Sequence, residues 1–160
     1  MSFDASQLRF LIVKPVLIGI NMWSQEAEDL MMGTAAQESL LGKYIKQDHG
    51  PALGIFQMEP RTHDDIWTRY LTQNPKVCND LMITCKFANK PTKEMLVYNL
   101  FYAAAMTRVF YRRIPDTIPR TLEGQAEYWK TWYNTPQGAG STSQYIANYN
   151  RFILGKIDKK

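Results

Sequence analysis

The stretch from Leu96 to Ala105 is apolar on nearly every side when it is wound as a helix. A helix of that kind has no face to give to water, so other elements must surround it. The spacing predicts that it runs from Lys93 to Arg113, with Thr92 as its N-cap and Pro115 and Pro119 in the connection beyond. A chain of 160 residues can wrap one such helix in a core of its own. Residues 1–160 are therefore expected to form a single, mostly α domain.

The flanking signals are helical too. Gln7 to Ile20 reads as a helix broken or kinked at Pro15. Ser24 suits the N-cap of a helix that reaches Glu38, and Gly42 is a plausible stop. Residues 42–60 hold Gly42, Gly50, Pro51, Gly54 and Pro60 and read as an irregular stretch with room for a small β-hairpin. Thr62, with Asp65 three residues on, looks like the cap of a helix through Trp67 to Leu71. Asn74 to Lys90 is ambiguous and loop-rich. Leu122 to Tyr133 is helical, with Leu122, Ala126, Trp129 and Tyr133 on one face. A turn from Asn134 to Gly140 and a final helix from Ser143 to Leu154 complete the chain.

One carboxylate is out of place in this pattern. Ala27, Leu30, Met31, Thr34 and Ala35 follow the spacing of a core-facing stripe, and Glu38 lies on that stripe. Burial disfavours the charged form of a carboxyl and raises its pKa. The negative end of the helix dipole acts in the same direction. A carboxyl that keeps its proton near neutral pH is what a general acid requires. The ordinary alternative is a solvated glutamate paired with Lys or Arg.

Two later segments give Glu38 a context: Gly54-Ile55-Phe56-Gln57-Met58 and Trp132-Tyr133-Asn134-Thr135-Pro136-Gln137-Gly138. Each is weak alone. In this order, with Glu38-Ser39 ahead of them, they resemble the soluble-type lytic transglycosylases, relatives of goose-type lysozyme, over residues 24–150. The resemblance implies a lysozyme-like fold and cleavage of the N-acetylmuramic acid to N-acetylglucosamine β-1,4 bond of bacterial peptidoglycan. It implies Glu38 as the sole general acid and base, with 1,6-anhydro products. It implies substrate-binding places for Ser39, Gly54, Phe56, Gln57, Met58, Tyr133 and Asn134, and a Tyr133 hydroxyl that reaches the catalytic carboxyl. Tyr149-Asn150 is a competing pair without the following Pro and Gly. Two positions depart from the family pattern: Thr135 stands where glycine is usual, and Phe56 where methionine is common. Asp48, in the loop, is either an ordinary loop aspartate or a second carboxylate that activates water, as in a hydrolytic muramidase. A non-catalytic peptidoglycan-binding virion part with the same fold is the remaining reading.

The rest of the sequence narrows the partners. The net charge of +4 favours acidic polymers. Its basic residues form only short clusters, Arg112-Arg113 and Lys156, Lys159, Lys160, and no nucleic-acid-binding fingerprint occurs. Cys78, Cys85, His49 and His63 lack zinc-ligand spacing, so neither a metal nor a cofactor is expected. Free thiols are the default for the two cysteines: on a helix they would lie about 10 Å apart, although a loop would permit a bridge. The apolar run from Phe10 to Ile20 is too short to span a membrane, and no secretory leader is evident. Such an enzyme is expected to reach the wall through lysis-linked release, as a phage endolysin does, or as a virion component.

Overall fold

The computed structural model describes residues 1–156; Lys159 and Lys160 of the C-terminal basic cluster lie outside the described residues. The chain is mostly helical, and among the described residues no strand forms. Two isolated antiparallel bridges, Lys46 with Leu53 and Leu53 with Met58, are all that the loop forms of the expected hairpin.

The N-terminal helix begins as α1, Ala5–Gln7, and continues through a π-helical stretch, Leu8–Val13, into α2, Lys14–Gly19. Pro15 does not break it. Proline has no N–H to offer, and its ring crowds the carbonyl four residues back. The wider turn ahead of Pro15, where the Lys14 N–H bonds to the Arg9 carbonyl, accommodates it.

Helix α3 spans Gln25–Ser39 and is capped by the Ser24 side chain, which accepts from the Ala27 N–H at 3.0 Å. It ends sooner than Gly42. Leu40 and Leu41 turn left-handed, with φ of 51° and 57°, before Gly42 at 82°. The N-terminal segment braces this reversal: the Phe3 N–H donates to the Leu41 carbonyl and the Ser2 hydroxyl to the Leu40 carbonyl. Further up, Arg9 bridges Glu28 and Asp29 at 2.9 and 2.8 Å, tying the N-terminal helix to the first turns of α3.

Beyond the loop come α4, Pro60–Arg69, and α5, Pro75–Cys85. The N-cap position of α4 is Glu59, with Pro60 opening the helix, so Thr62 is a first-turn residue and not the cap. The loop-rich reading of residues 74–90 gives way to α5, which also starts at a proline. Cys78 and Cys85 both lie on α5 as free thiols.

The central helix starts later than the expected Lys93, and Thr92 does not cap it. Residues Met95–Tyr98 form α6, and Asn99 then adopts an extended backbone and caps the Tyr102 N–H. The long helix α7, Leu100–Arg112, follows, and everything in it from Tyr102 to Val109 is buried. The last two helices are α8, Leu122–Tyr128, which runs on as a π stretch, Trp129–Asn134, and α9, Thr142–Asn148, which runs on as Tyr149–Ile153. Ser141 caps α9, which starts one residue before the expected Ser143, in a reciprocal capping box with Gln144. Leu30, Met31, Ala35, Tyr102, Met106, Val109, Trp129 and Tyr145 belong to one hydrophobic core cluster.

Candidate active site

Glu38 occupies the penultimate position of α3, at the carbonyl end of the helix. Its carboxyl opens into a pocket of about 660 Å³. Trp129, fully buried on the facing helix, donates its indole N–H to Glu38 Oε1 at 2.9 Å. Burial dominates the electrostatics and pushes the Glu38 pKa up to about 7, against the opposing effect of the Trp129 hydrogen bond. The group therefore titrates at the boundary of neutral pH.

The turn after α8 and the long loop form the pocket's other walls. Asp48, Gln57, Met58, Tyr133 and Asn134, all singled out in the sequence, line it together with Glu38. Gln57 holds a left-handed backbone, with φ of 51°. One of its side-chain N–H groups donates to the Gly54 carbonyl at 2.8 Å, while Oε1 has no protein donor among the described residues. An amide oxygen free in this way can accept from a hydroxyl or amide N–H. Asn134 accepts from Lys130 Nζ at 2.7 Å, and Lys130 also holds the Gly138 carbonyl, which folds the turn back over the site.

Three of the expected site residues lie outside the lining. Ser39 is fully buried; its hydroxyl donates to the Ala35 carbonyl and accepts from the Gly42 N–H, closing the helix end. Phe56 is a core residue at 1% exposure. Gly54 is an anchor of the loop, with φ of +77° and its N–H bonded to the Ile45 carbonyl. The Tyr133 hydroxyl also departs from expectation. It donates to the Phe56 carbonyl at 2.6 Å instead of reaching Glu38. Its ring stacks on Tyr111, 5.4 Å away, whose hydroxyl pairs with Thr34 of α3. Tyr133 thus joins α3, α7 and the loop behind the carboxyl. Tyr149, the competing tyrosine, lies near Arg9 and is not part of the lining.

The donor to Glu38 is Trp129 and not Tyr133. Trp129 sits one turn before Tyr133 on a face that reads as core, and only its indole N–H distinguishes it from a packing residue. Glu59, Gln37 and Tyr44 are further lining residues with no sequence signal of their own. No group of three or more potential metal ligands exists among the described residues.

Family models, curated proteins and solved structures offer no match to this chain.

Two expectations arise from this geometry. The Trp129 N–H stabilises the carboxylate, so in Trp129→Phe the Glu38 carboxyl should hold its proton to higher pH. If Glu38 works in its protonated form, activity falls as pH rises through about 7 in the wild type. The variant's falling limb should lie at higher pH, and a pH–rate profile with the limb unmoved or lowered would contradict the assignment. The second concerns Thr135, whose φ of 73° and ψ of 155° belong to a region occupied almost only by glycine. Such strain costs of order 1–3 kcal/mol, and glycine's extra unfolded-state freedom offsets part of the gain. Thr135→Gly should raise the melting temperature by about 2–4 °C; a lower melting temperature would show that the threonine side chain stabilises the turn.

Proposed function

We propose that the chain is a single lysozyme-like domain that cleaves peptidoglycan glycan strands as a lytic transglycosylase. The observation that carries this reading is the Glu38 carboxyl, held by Trp129 in a pocket and with its pKa raised to about 7. The three ordered sequence segments supply the substrate class.

In the proposed reaction the Glu38 carboxyl gives its proton to the glycosidic oxygen, and the bond from that oxygen to the anomeric carbon breaks. The 6-hydroxyl of the same muramic acid residue attacks the anomeric carbon and returns its proton to Glu38. Atoms balance without water, so the product ends in a 1,6-anhydro sugar and the carboxyl is restored. A raised pKa suits both halves, because one group must be acid first and base second. Gln57 Oε1 is placed to accept from a sugar amide or hydroxyl. Phage-borne or virion-associated delivery to the wall belongs to the same proposal.

A hydrolytic reading has specific support as well. Asp48 and Glu59 both line the Glu38 pocket, and either could activate a water on the far face of the sugar. Mass analysis of purified peptidoglycan after digestion separates the two, since anhydro ends are one water lighter than hydrated ends. Anhydro ends are expected, with Asp48→Asn and Glu59→Gln each retaining more activity than Glu38→Gln. Hydrated ends, with either variant as inactive as Glu38→Gln, would establish hydrolysis. Absence of any product would favour a binding role.

A further inference from the structure

A second cavity, of about 510 Å³, lies where α3 begins and α7 ends. Its walls include Ser24, the N-cap of α3, with Glu26 of α3, Arg108 and Arg112 of α7, and Tyr128 of α8. Pro115 and Ile118 of the connection close its apolar side.

Arg108 is the anomaly. It is the one charged residue in the buried stretch of α7, and only 6% of its surface is exposed. Its Nε donates to the Met22 carbonyl at 2.9 Å, but Nη1 is buried and has no hydrogen-bond partner. Neither Arg108 nor Arg112 forms an ion pair among the described residues. An uncompensated buried cation carries a desolvation penalty of several kcal/mol, so a guanidinium in this position lacks its counter-charge.

The acids at the cavity do not provide that charge. Glu26 pairs outward with Arg120 at 3.3 Å. Asp116 is exposed, and it is its backbone carbonyl that takes the Tyr128 hydroxyl. Ser24, the N-cap of α3, puts the positive end of a long helix dipole at the cavity's edge. Two arginines without an ion-pair partner and a helix start therefore line one concave space. A guanidinium fork matches the two oxygens of a carboxylate or phosphate.

We propose that this cavity binds an oxyanion, the carboxylate or phosphate group of a small molecule, between Arg108 and Arg112, with the ligand's apolar body against Pro115 and Ile118. The site is independent of the Glu38 pocket and does not rest on the glycosidase reading.

The test is thermal denaturation of the full chain in inorganic phosphate and, separately, in acetate, with sodium chloride at matched ionic strength as the reference. At ligand concentrations well above the dissociation constant, a ligand bound only by the folded state raises the melting temperature by several degrees. A rise of about 3 °C or more over chloride is expected with at least one of the two anions. A rise confined to phosphate assigns a phosphoryl group, and one confined to acetate assigns a carboxylate. Arg108→Met should abolish the rise. Arg112→Gln, at an exposed position, keeps the test available if Arg108→Met fails to fold; it should weaken binding at least fivefold by calorimetry. No rise over chloride, or an undiminished rise in Arg112→Gln, overturns the proposal.

Discussion

Glu38→Gln is expected to lower peptidoglycan cleavage by at least about 100-fold, the lower bound of what a general acid contributes. Glutamine keeps an oxygen where Trp129 donates its N–H at 2.9 Å, so the packing of α3 against α8 should be preserved. What it cannot do is release and recover a proton. Turbidity clearing of permeabilised cells reads the activity, and circular dichroism the fold. A variant with a tenth of the wild-type rate would remove Glu38 from the chemistry.

The same substitution has a consequence for stability. The wild-type carboxyl is lifted from its ordinary 4.5 to about 7 by burial, so the folded state binds its proton more tightly than the unfolded state does. That favours folding fully at acid pH. The advantage is lost as pH rises from about 4.5 through about 7, and then levels off. Glu38→Gln has no such titration. Its melting temperature relative to wild type should therefore climb across that window, whatever the activity assay shows.

The second large effect is expected at Gly54. A Cβ there would lie 2.2 Å from the Leu96 carbonyl oxygen, which is backbone at the start of the central helical region and cannot swing away. The φ of +77° adds a conformational penalty for any other residue. Strain of 1–3 kcal/mol and overpacking of similar size give a loss of about 3 kcal/mol for Gly54→Ala. The melting temperature should fall by about 6–12 °C. Activity should fall too, because the Gly54 carbonyl receives both N–H groups of Gln57 that are bonded there. A melting temperature within 2 °C of wild type would mean that the loop can yield where its contacts with Leu96 say it cannot. The motif glycine thus belongs to the architecture beneath the pocket.

Where one physical signal dominated, the sequence was legible. The apolar stripe and Ser24 located α3 and placed Glu38 facing inward, because capping and burial act within one short segment. The irregular stretch before Pro60 was visible from its glycines and prolines. Less legible were features set by competition between neighbours. Asn99 lies in an otherwise helical apolar run, yet its side chain closes a new helix start on the Tyr102 N–H, and hydrophobicity alone hides that switch. The segment from Asn74 to Lys90 is ambiguous in sequence; in the structure Pro75 occupies the first turn of α5, where its missing N–H does no harm. At the site, the resemblance brings an aromatic of the helix that begins as α8 to Glu38, but it does not select the right one. Trp129 and Tyr133 share a helix face, and only tertiary packing decides which polar tip meets the carboxyl and which meets the Phe56 carbonyl.

The π-helical stretches carry a consequence at the level of the gene. A turn closed by bonds reaching five residues back holds one residue more than an α turn, so each stretch is equivalent to a single inserted codon. One of them, Trp129–Asn134, separates the residue that grips Glu38 from the turn that closes over it. Loss of one codon between Trp129 and Tyr133 would restore the α repeat. The wider turn already absorbs that extra residue, so the helix downstream would keep its orientation. In the regular turns of α8, by contrast, loss of one codon would rotate everything downstream by about 100° around the helix axis.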